Sequence, residues 1–363
     1  MRQSAATKLQ PRPETKTEAA RSPATTAHSR RDAKDLDLDL DDRRILNVVQ
    51  SRFPLADEPY QAMAEELNLT EKNVMDRIRE LKRKNVVRQI SAIFDTRRLG
   101  YTTCLAAMAF APEKLHKSAL AINRHPGVSH NYAREGHYFN LWFTLAVPPA
   151  ESLEGTIKEM AQRTGALECR LLPVIRFFKI GVNFDMVNEE GAAFTYDPDN
   201  PNWNRAEHIT PFEISVVREL QEDLPLEIRP FDAMAERLGL ITHQMFDIAN
   251  DLQKRGLMRR YSAVLHHRRA GFKYNAMSVW HVTEPEKAAE IGRILAKSKW
   301  VTHCYERPTY PDWPYSHFAM IHATTREKCE EVAQEISREC GVKDYLLLFS
   351  TREYKKTRVR YFV

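Results

Sequence analysis

The chain is poor in cysteine. Its five cysteines, Cys104, Cys169, Cys304, Cys329 and Cys340, are an odd number with no CxxC pair and no metal-ligand spacing. That excludes a disulfide scaffold and a zinc module, and no protein metal site is expected. Long apolar runs are missing too. A transmembrane helix needs about 18 or more consecutive apolar residues, and none occurs. No apolar h-region follows Met1-Arg2-Gln3-Ser4, so neither a membrane span nor a secretory signal is expected, and the expected compartment is the cytoplasm.

What is present suits globular domains. The 363 residues are 43% hydrophobic and 28% charged, with a mean hydropathy of −0.52. At about 100 to 200 residues per domain, two or three domains are expected. The net charge of +5 is spread along the chain and by itself selects no partner. Residues 1–35 are rich in Ala, Thr, Ser, Pro and Arg and hold few large apolar side chains. Such a segment cannot offset its ordering entropy, so it reads as a disordered basic tail. A transit peptide would be poor in acids, whereas Glu14, Glu18, Asp32 and Asp35 interrupt this one.

Self-similarity is the most informative feature. Phe53-Pro54-Leu55 with Ala62-Met63-Ala64-Glu65 recurs as Leu224-Pro225-Leu226 with Ala233-Met234-Ala235-Glu236. Arg97-Arg98-Leu99-Gly100-Tyr101 matches Arg268-Arg269-Ala270-Gly271-Phe272, and His130-Asn131-Tyr132-Ala133-Arg134 matches His303-Cys304-Tyr305-Glu306-Arg307. Arg176-Phe177-Phe178-Lys179 matches Arg352-Glu353-Tyr354-Lys355. The chain is therefore a tandem duplication, with a Gly/Pro/Asn-rich linker over 188–210.

Each half divides again. Residues 41–49, 60–67 and 70–84 carry helical apolar spacing, the last through Val74, Ile78 and Leu81, and an extended run follows at 86–94. This reads as a winged helix-turn-helix over 36–100, repeated over 211–271. Beyond it the order is β-α-β-β-α-β, with the last strand expected over 167–178, giving ferredoxin-like domains at 101–187 and 272–363. The expected fold class is α+β, a tandem repeat of winged helix-turn-helix plus ferredoxin-like domain.

That architecture resembles the leucine-responsive and asparagine-responsive (Lrp/AsnC-like) regulators. The strand motifs narrow it. The run from His130 to Thr144, with Tyr132, Arg134, His137 and Trp142, looks like one subunit of the sirohaem decarboxylases. Thr302 to Pro308, with Trp313-Pro314-Tyr315-Ser316-His317 through His322, looks like the companion subunit. The family's Tyr-Asn is replaced here by Tyr315-Ser316. The resemblance covers about residue 40 to the C-terminus. It implies a fused two-subunit form that decarboxylates the acetate side chains of sirohaem to 12,18-didecarboxysirohaem, in haem d1 or alternative haem biosynthesis. Iron-containing sirohaem is then the substrate. No separate cofactor is required, because the conjugated macrocycle is its own electron sink. An intramolecular pseudo-dimer is expected, a homo-oligomer is left open, and neither DNA nor membrane is expected as a partner.

The chemistry assigns roles. A strand places His130, Tyr132 and Arg134 on one face, and likewise His303, Tyr305 and Arg307. Arginine grips carboxylates bidentately and stays charged, so Arg134 and Arg307 are candidate anion clamps. Histidine titrates near working pH, so His130, His137 and His303 are candidate proton donors. Tyr132, Tyr305 and Trp142 are candidate substrate contacts, as are His322 and His267, the latter considered as an axial iron ligand. Duplication copies structural residues too, and a strand histidine beside a tyrosine is more often packing than catalysis. His317 and His322 alternate across one strand, so one pocket takes at most one of them. The competing function is a DNA-binding regulator sensing a metabolite, reading DNA with residues 70–84. Against it, Glu71, Asp76 and Glu80 sit among Arg77, Arg79, Lys82, Arg83 and Lys84, and the second copy is poor in basic residues.

Overall fold

The computed structural model describes residues 38–184, 191–195, 205–265 and 274–363. The tail read over 1–35, most of the 188–210 linker and the His266-His267 pair lie outside these residues.

Each half opens with three short helices. In the first they are α1 (Leu40–Ser51), α2 (Pro59–Leu67) and α3 (Glu71–Arg83). Asp39 caps α1 through the Asp42 N–H, and Thr70 caps α3 through the Asn73 N–H, each satisfying a donor the helix start leaves open. Val74, Ile78 and Leu81 form the buried stripe of α3. Strand β1 (Val87–Phe94) follows. It leads into β2 (Thr102–Ala109), α4 (Pro112–Ile122), β3 (Val128–Arg134), β4 (Leu141–Val147), α5 (Leu153–Thr164), β5 (Glu168–Leu172), β6 (Arg176–Phe184) and β7 (Gly191–Thr195).

The second half repeats the plan with α6 (Pro211–Leu220), α7 (Asp232–Arg237), α8 (Thr242–Lys254) and β8 (Met258–Leu265). Its sheet elements are β9 (Tyr274–Trp280), α9 (Ala288–Lys297), β10 (Val301–Glu306), β11 (His317–Ala323), α10 (Arg326–Cys340) and β12 (Tyr345–Lys356).

Two features go beyond a simple repeat. Among the described residues, the strand after each helix triad pairs across the halves: β1 is antiparallel to β8 of the other half. The two modules therefore share one core, in which Ile45, Tyr60 and Ile78 cluster with Val216, Phe231 and Met245. The C-terminal segment is sewn into it, with Arg358 donating to the Ser91 and Ala92 carbonyls and Tyr361 buried there.

The second feature corrects the expected strand over 167–178. It breaks after Leu172, and its two pieces serve different sheets. β5 pairs with β2 at the edge of the first sheet, whereas β6 crosses to β10 of the second half. Reciprocally, β12 pairs with β9 through residues 345–349 and with β3 of the first half from Ser350 onward. The result is a strand order β5-β2-β4-β3-β12-β9-β11-β10-β6-β7. Helices α4 and α5 cover one side of the first half's strands, with Ile122, Ile157 and Met160 in that core. Helices α9 and α10 cover the second half's strands through Ile291, Leu295, Val332 and Ile336. The opposite faces meet each other: Ala107, Ala109 and Trp142 cluster with Met277, Val279, Phe318 and Leu348.

Candidate active site

Strand alternation sends one side of β3 and β10 toward the helices and the other toward the facing sheet. Asn131 and Cys304 take the helix side, where Asn131 donates to the Ala119 carbonyl and Cys304 sits in the core against Gly292. His130, Tyr132 and Arg134, together with His303, Tyr305 and Arg307, take the other side. There they line a single cavity of about 340 Å³. Trp142, Met277, Phe318, Met320, His322 and Lys356 complete most of its wall. A second space of about 230 Å³ adjoins it and shares His130, Tyr305 and Arg307. The repeated motif predicts one such surface per half; the strand exchange brings both to one site.

The arginines are the most informative members. Arg134 and Arg307 are each 7% exposed. Arg134 Nη1 donates to the Leu348 carbonyl at 2.9 Å, and Arg307 donates to the Leu172 carbonyl. The Nε of each is buried with no hydrogen-bond partner. Among the described residues neither forms an ion pair with a carboxylate. Burial pulls both guanidinium pKa values down to about 10, still far above working pH. Two charged, desolvated, unpaired cations therefore face one cavity, an arrangement that costs stability unless an anion supplies the missing partners.

The surroundings of His130, His303 and His322 favour the neutral imidazole. Burial, and next the Lys356 ammonium, hold His130 down at about 3 and His303 at about 4. His322 lies at about 3 through burial, His303 and Lys356. Ser129 Oγ lies 3.1 Å from His130 Nδ1, and Thr302 Oγ1 lies 3.0 Å from His303 Nδ1. With Nδ1 engaged, Nε2 is the nitrogen left for the cavity. The tyrosines lie alongside, Tyr132 stacked on His130 with centroids 6.4 Å apart and Tyr305 tilted against His303 at 6.1 Å. The halves differ around them. Tyr132 Oη is 3.5 Å from Glu353 Oε2, whereas Tyr305 meets the Phe177 ring edge to face at 5.2 Å.

Not every expected residue comes to the cavity. His137 does not line it; its Nδ1 accepts from the Phe139 N–H and its ring meets Trp313 at 4.9 Å, so the β3–β4 and β10–β11 connections pack on each other. Trp142 lines the wall and donates its Nε1–H to the Phe139 carbonyl. His317 lies on the far side of β11, buried against the Ala288 carbonyl. His267 lies outside the described residues. Among the described residues no group of three His, Cys, Asp or Glu side chains is placed to hold a metal ion, and no helix is long and apolar enough to cross a membrane. Lys356 and Asn275 also line the cavity, and Ser129 and Thr302 support its histidines, roles that no motif in the sequence marks. A hydroxyl residue before each motif histidine was visible in the repeat, but Lys356 enters only because β12 crosses to β3.

Comparison with known proteins agrees with this geometry. The model described as "AsnC-like ligand binding domain" matches residues 98–179 and 269–355. That described as "Siroheme decarboxylase NirDL-like HTH domain" matches residues 42–88 and 213–259, so each half carries one copy of both. The "Siroheme decarboxylase" of Hydrogenobacter thermophilus is 41% identical over 88% of this chain and 94% of its own length. The chain belongs to the sirohaem decarboxylase family. Within the sirohaem decarboxylases, the beta subunit from Methanosarcina barkeri is 45% identical over 41% of this chain and 97% of its own. A crystal structure of the sirohaem decarboxylase NirDL in co-complex with an iron-uroporphyrin III analogue superimposes with a TM-score of 0.68 at 37% identity. That match covers 89% of this chain and 95% of the other.

Proposed function

We propose that this chain decarboxylates the acetate side chains of sirohaem to 12,18-didecarboxysirohaem, the step used in haem d1 and alternative haem biosynthesis. The observation that carries the reading is the pair of buried, unpaired arginines, Arg134 and Arg307, facing one cavity beside His130 and His303. Relatives bearing this activity in their names, and an iron-porphyrin analogue bound by a structural neighbour, support the same substrate class.

Each turnover replaces a carboxylate on a methylene with a proton and releases carbon dioxide. The electron pair left on the methylene spreads into the macrocycle, so the substrate supplies its own electron sink and no separate cofactor is invoked. Three tasks fall to the protein. Arg134, Arg307 and Lys356 hold carboxylates by charge-assisted hydrogen bonds. Tyr132, Tyr305 and Trp142 exclude water from the reacting group and pack on the ring. His130 and His303 deliver protons from Nε2 to the new methyl carbons. The chain acts as an internal pseudo-dimer, because each half's strand completes the other's sheet. All five cysteines are free thiols, which suits the reducing cytoplasm we assign.

The regulator reading has less support. Every basic residue of α3 is already ion-paired within the chain: Lys72 and Arg79 with Asp76, Arg77 with Asp39 and Asp42, Lys82 with Asp223, and Arg83 with Glu80. Phosphate contacts would have to displace those partners.

Anaerobic incubation of the purified chain with sirohaem, read by mass spectrometry, tests the proposal. Loss of two carbon dioxide equivalents is expected; unchanged sirohaem beside an active control enzyme rejects it. Separately expressed halves that each turn over as monomers would reject the pseudo-dimer.

A further inference from the structure

The second half holds a hydroxyl bridge that the first lacks. Thr302 Oγ1 lies 3.0 Å from His303 Nδ1 and 3.1 Å from His322 Nδ1, with the Met320 carbonyl farther off at 3.4 Å. In the first half, Ser129 Oγ contacts His130 Nδ1 at 3.1 Å and Thr144 Oγ1 at 2.7 Å instead. The register explains the difference: Ala146, against Thr103, takes the place that His322, against Asn275, holds in the second half.

A hydroxyl has one proton and two lone pairs. When its proton goes to one of the nearer Nδ1 atoms and not to the Met320 carbonyl, it donates to one imidazole and accepts from the other. The first imidazole then carries its proton on Nε2 and the second carries it on Nδ1. We propose that Thr302 is a positioning residue that locks His303 and His322 into opposite tautomers and links them as a proton relay, so that the pair presents one N–H donor and one basic nitrogen to the cavity. This rests on the decarboxylase reading above.

The relay answers a chemical difficulty. A neutral imidazole that gives up its Nε2 proton alone becomes imidazolate, which is prohibitively basic. Through Thr302 it need not. As the donor's Nε2–H goes to the methylene carbon that has lost carbon dioxide, its Nδ1 takes the Thr302 hydroxyl proton. Thr302 then takes the Nδ1 proton of the second imidazole, whose Nε2 takes a proton from water, and the hydroxide left behind is taken up by the released carbon dioxide as bicarbonate. One proton enters and one reaches carbon, both rings stay neutral throughout, and their tautomers exchange. In the first half the His130 Nδ1 proton would come through Ser129 and Thr144, which line the adjoining cavity, with water in place of a second imidazole.

The test is nitrogen-15 NMR of ring-labelled histidine in the ligand-free chain, together with single-turnover decarboxylation in Thr302→Val and Thr302→Ser. His303 and His322 should be found in opposite tautomers. T302V, nearly isosteric, should bind sirohaem unchanged in a Soret titration yet decarboxylate about 100-fold more slowly, with an altered solvent isotope effect, and T302S should restore both. Identical tautomers in an active parent, or T302V at the parental rate, overturns the relay. Opposite tautomers in a parent that leaves sirohaem intact would instead reject the decarboxylase reading.

Discussion

Phe178, on the strand that the first half lends to the second, lies so close to Gly292 of α9 that a Cβ there would fall 2.1 Å from Phe178 Cζ. The glycine is thus the seat of the strand exchange. Gly292→Ala should destabilise the fold by about 1 to 3 kcal/mol through overpacking, although alanine is the better helix former by about 1 kcal/mol. Urea midpoints at constant slope measure it. A stabilised variant would show that Phe178 does not dock there.

Arg134 and Arg307 should trade stability against binding. Arg134→Met and Arg307→Met each remove a buried cation that has no carboxylate partner. The empty variants should melt at or above the parental temperature, while sirohaem binding weakens by about 2 to 5 kcal/mol. A fall in melting temperature with unchanged affinity would assign these arginines to packing.

His130 should matter after binding. His130→Ala is expected to bind sirohaem nearly as the parent does and to turn over about 100- to 10,000-fold more slowly in a single turnover. A Soret titration separates the two effects. Equal binding loss with normal turnover of bound substrate would make His130 a contact residue.

Acid should weaken the empty protein early. His130, His303 and His322 have folded pKa values of about 3 to 4, against an unfolded value of 6.5. Their neutral forms therefore contribute stability that is complete above pH 6.5 and falls away as pH drops through the folded values, because the unfolded chain binds more protons in that window. Denaturation free energy should decline from about pH 6.5 toward pH 4, and His322→Asn should flatten the decline. Bound sirohaem should reduce it by mass action, because it binds the folded chain and not the unfolded one.

The duplication, the helix triads and the His-x-Tyr-x-Arg strands were legible because they are local: periods of 3.6 and 2 fix which side chains share a face before any partner is chosen. The motif faces of both halves were therefore determined by sequence, as was the need for an anion to match two arginines. That both faces close on one cavity was not. It follows from the break after Leu172, the crossing of β6 to β10 and the crossing of β12 to β3, pairings between segments far apart in the chain. Backbone hydrogen bonds carry no residue label, so alternation within one strand cannot say which distant strand lies beside it. The same holds for Lys356, which reaches the histidines only through β12, and for His322, which reaches Thr302 only through the β10–β11 register. Side-chain chemistry was written in the sequence; the packing of distant strands decided which of those groups meet.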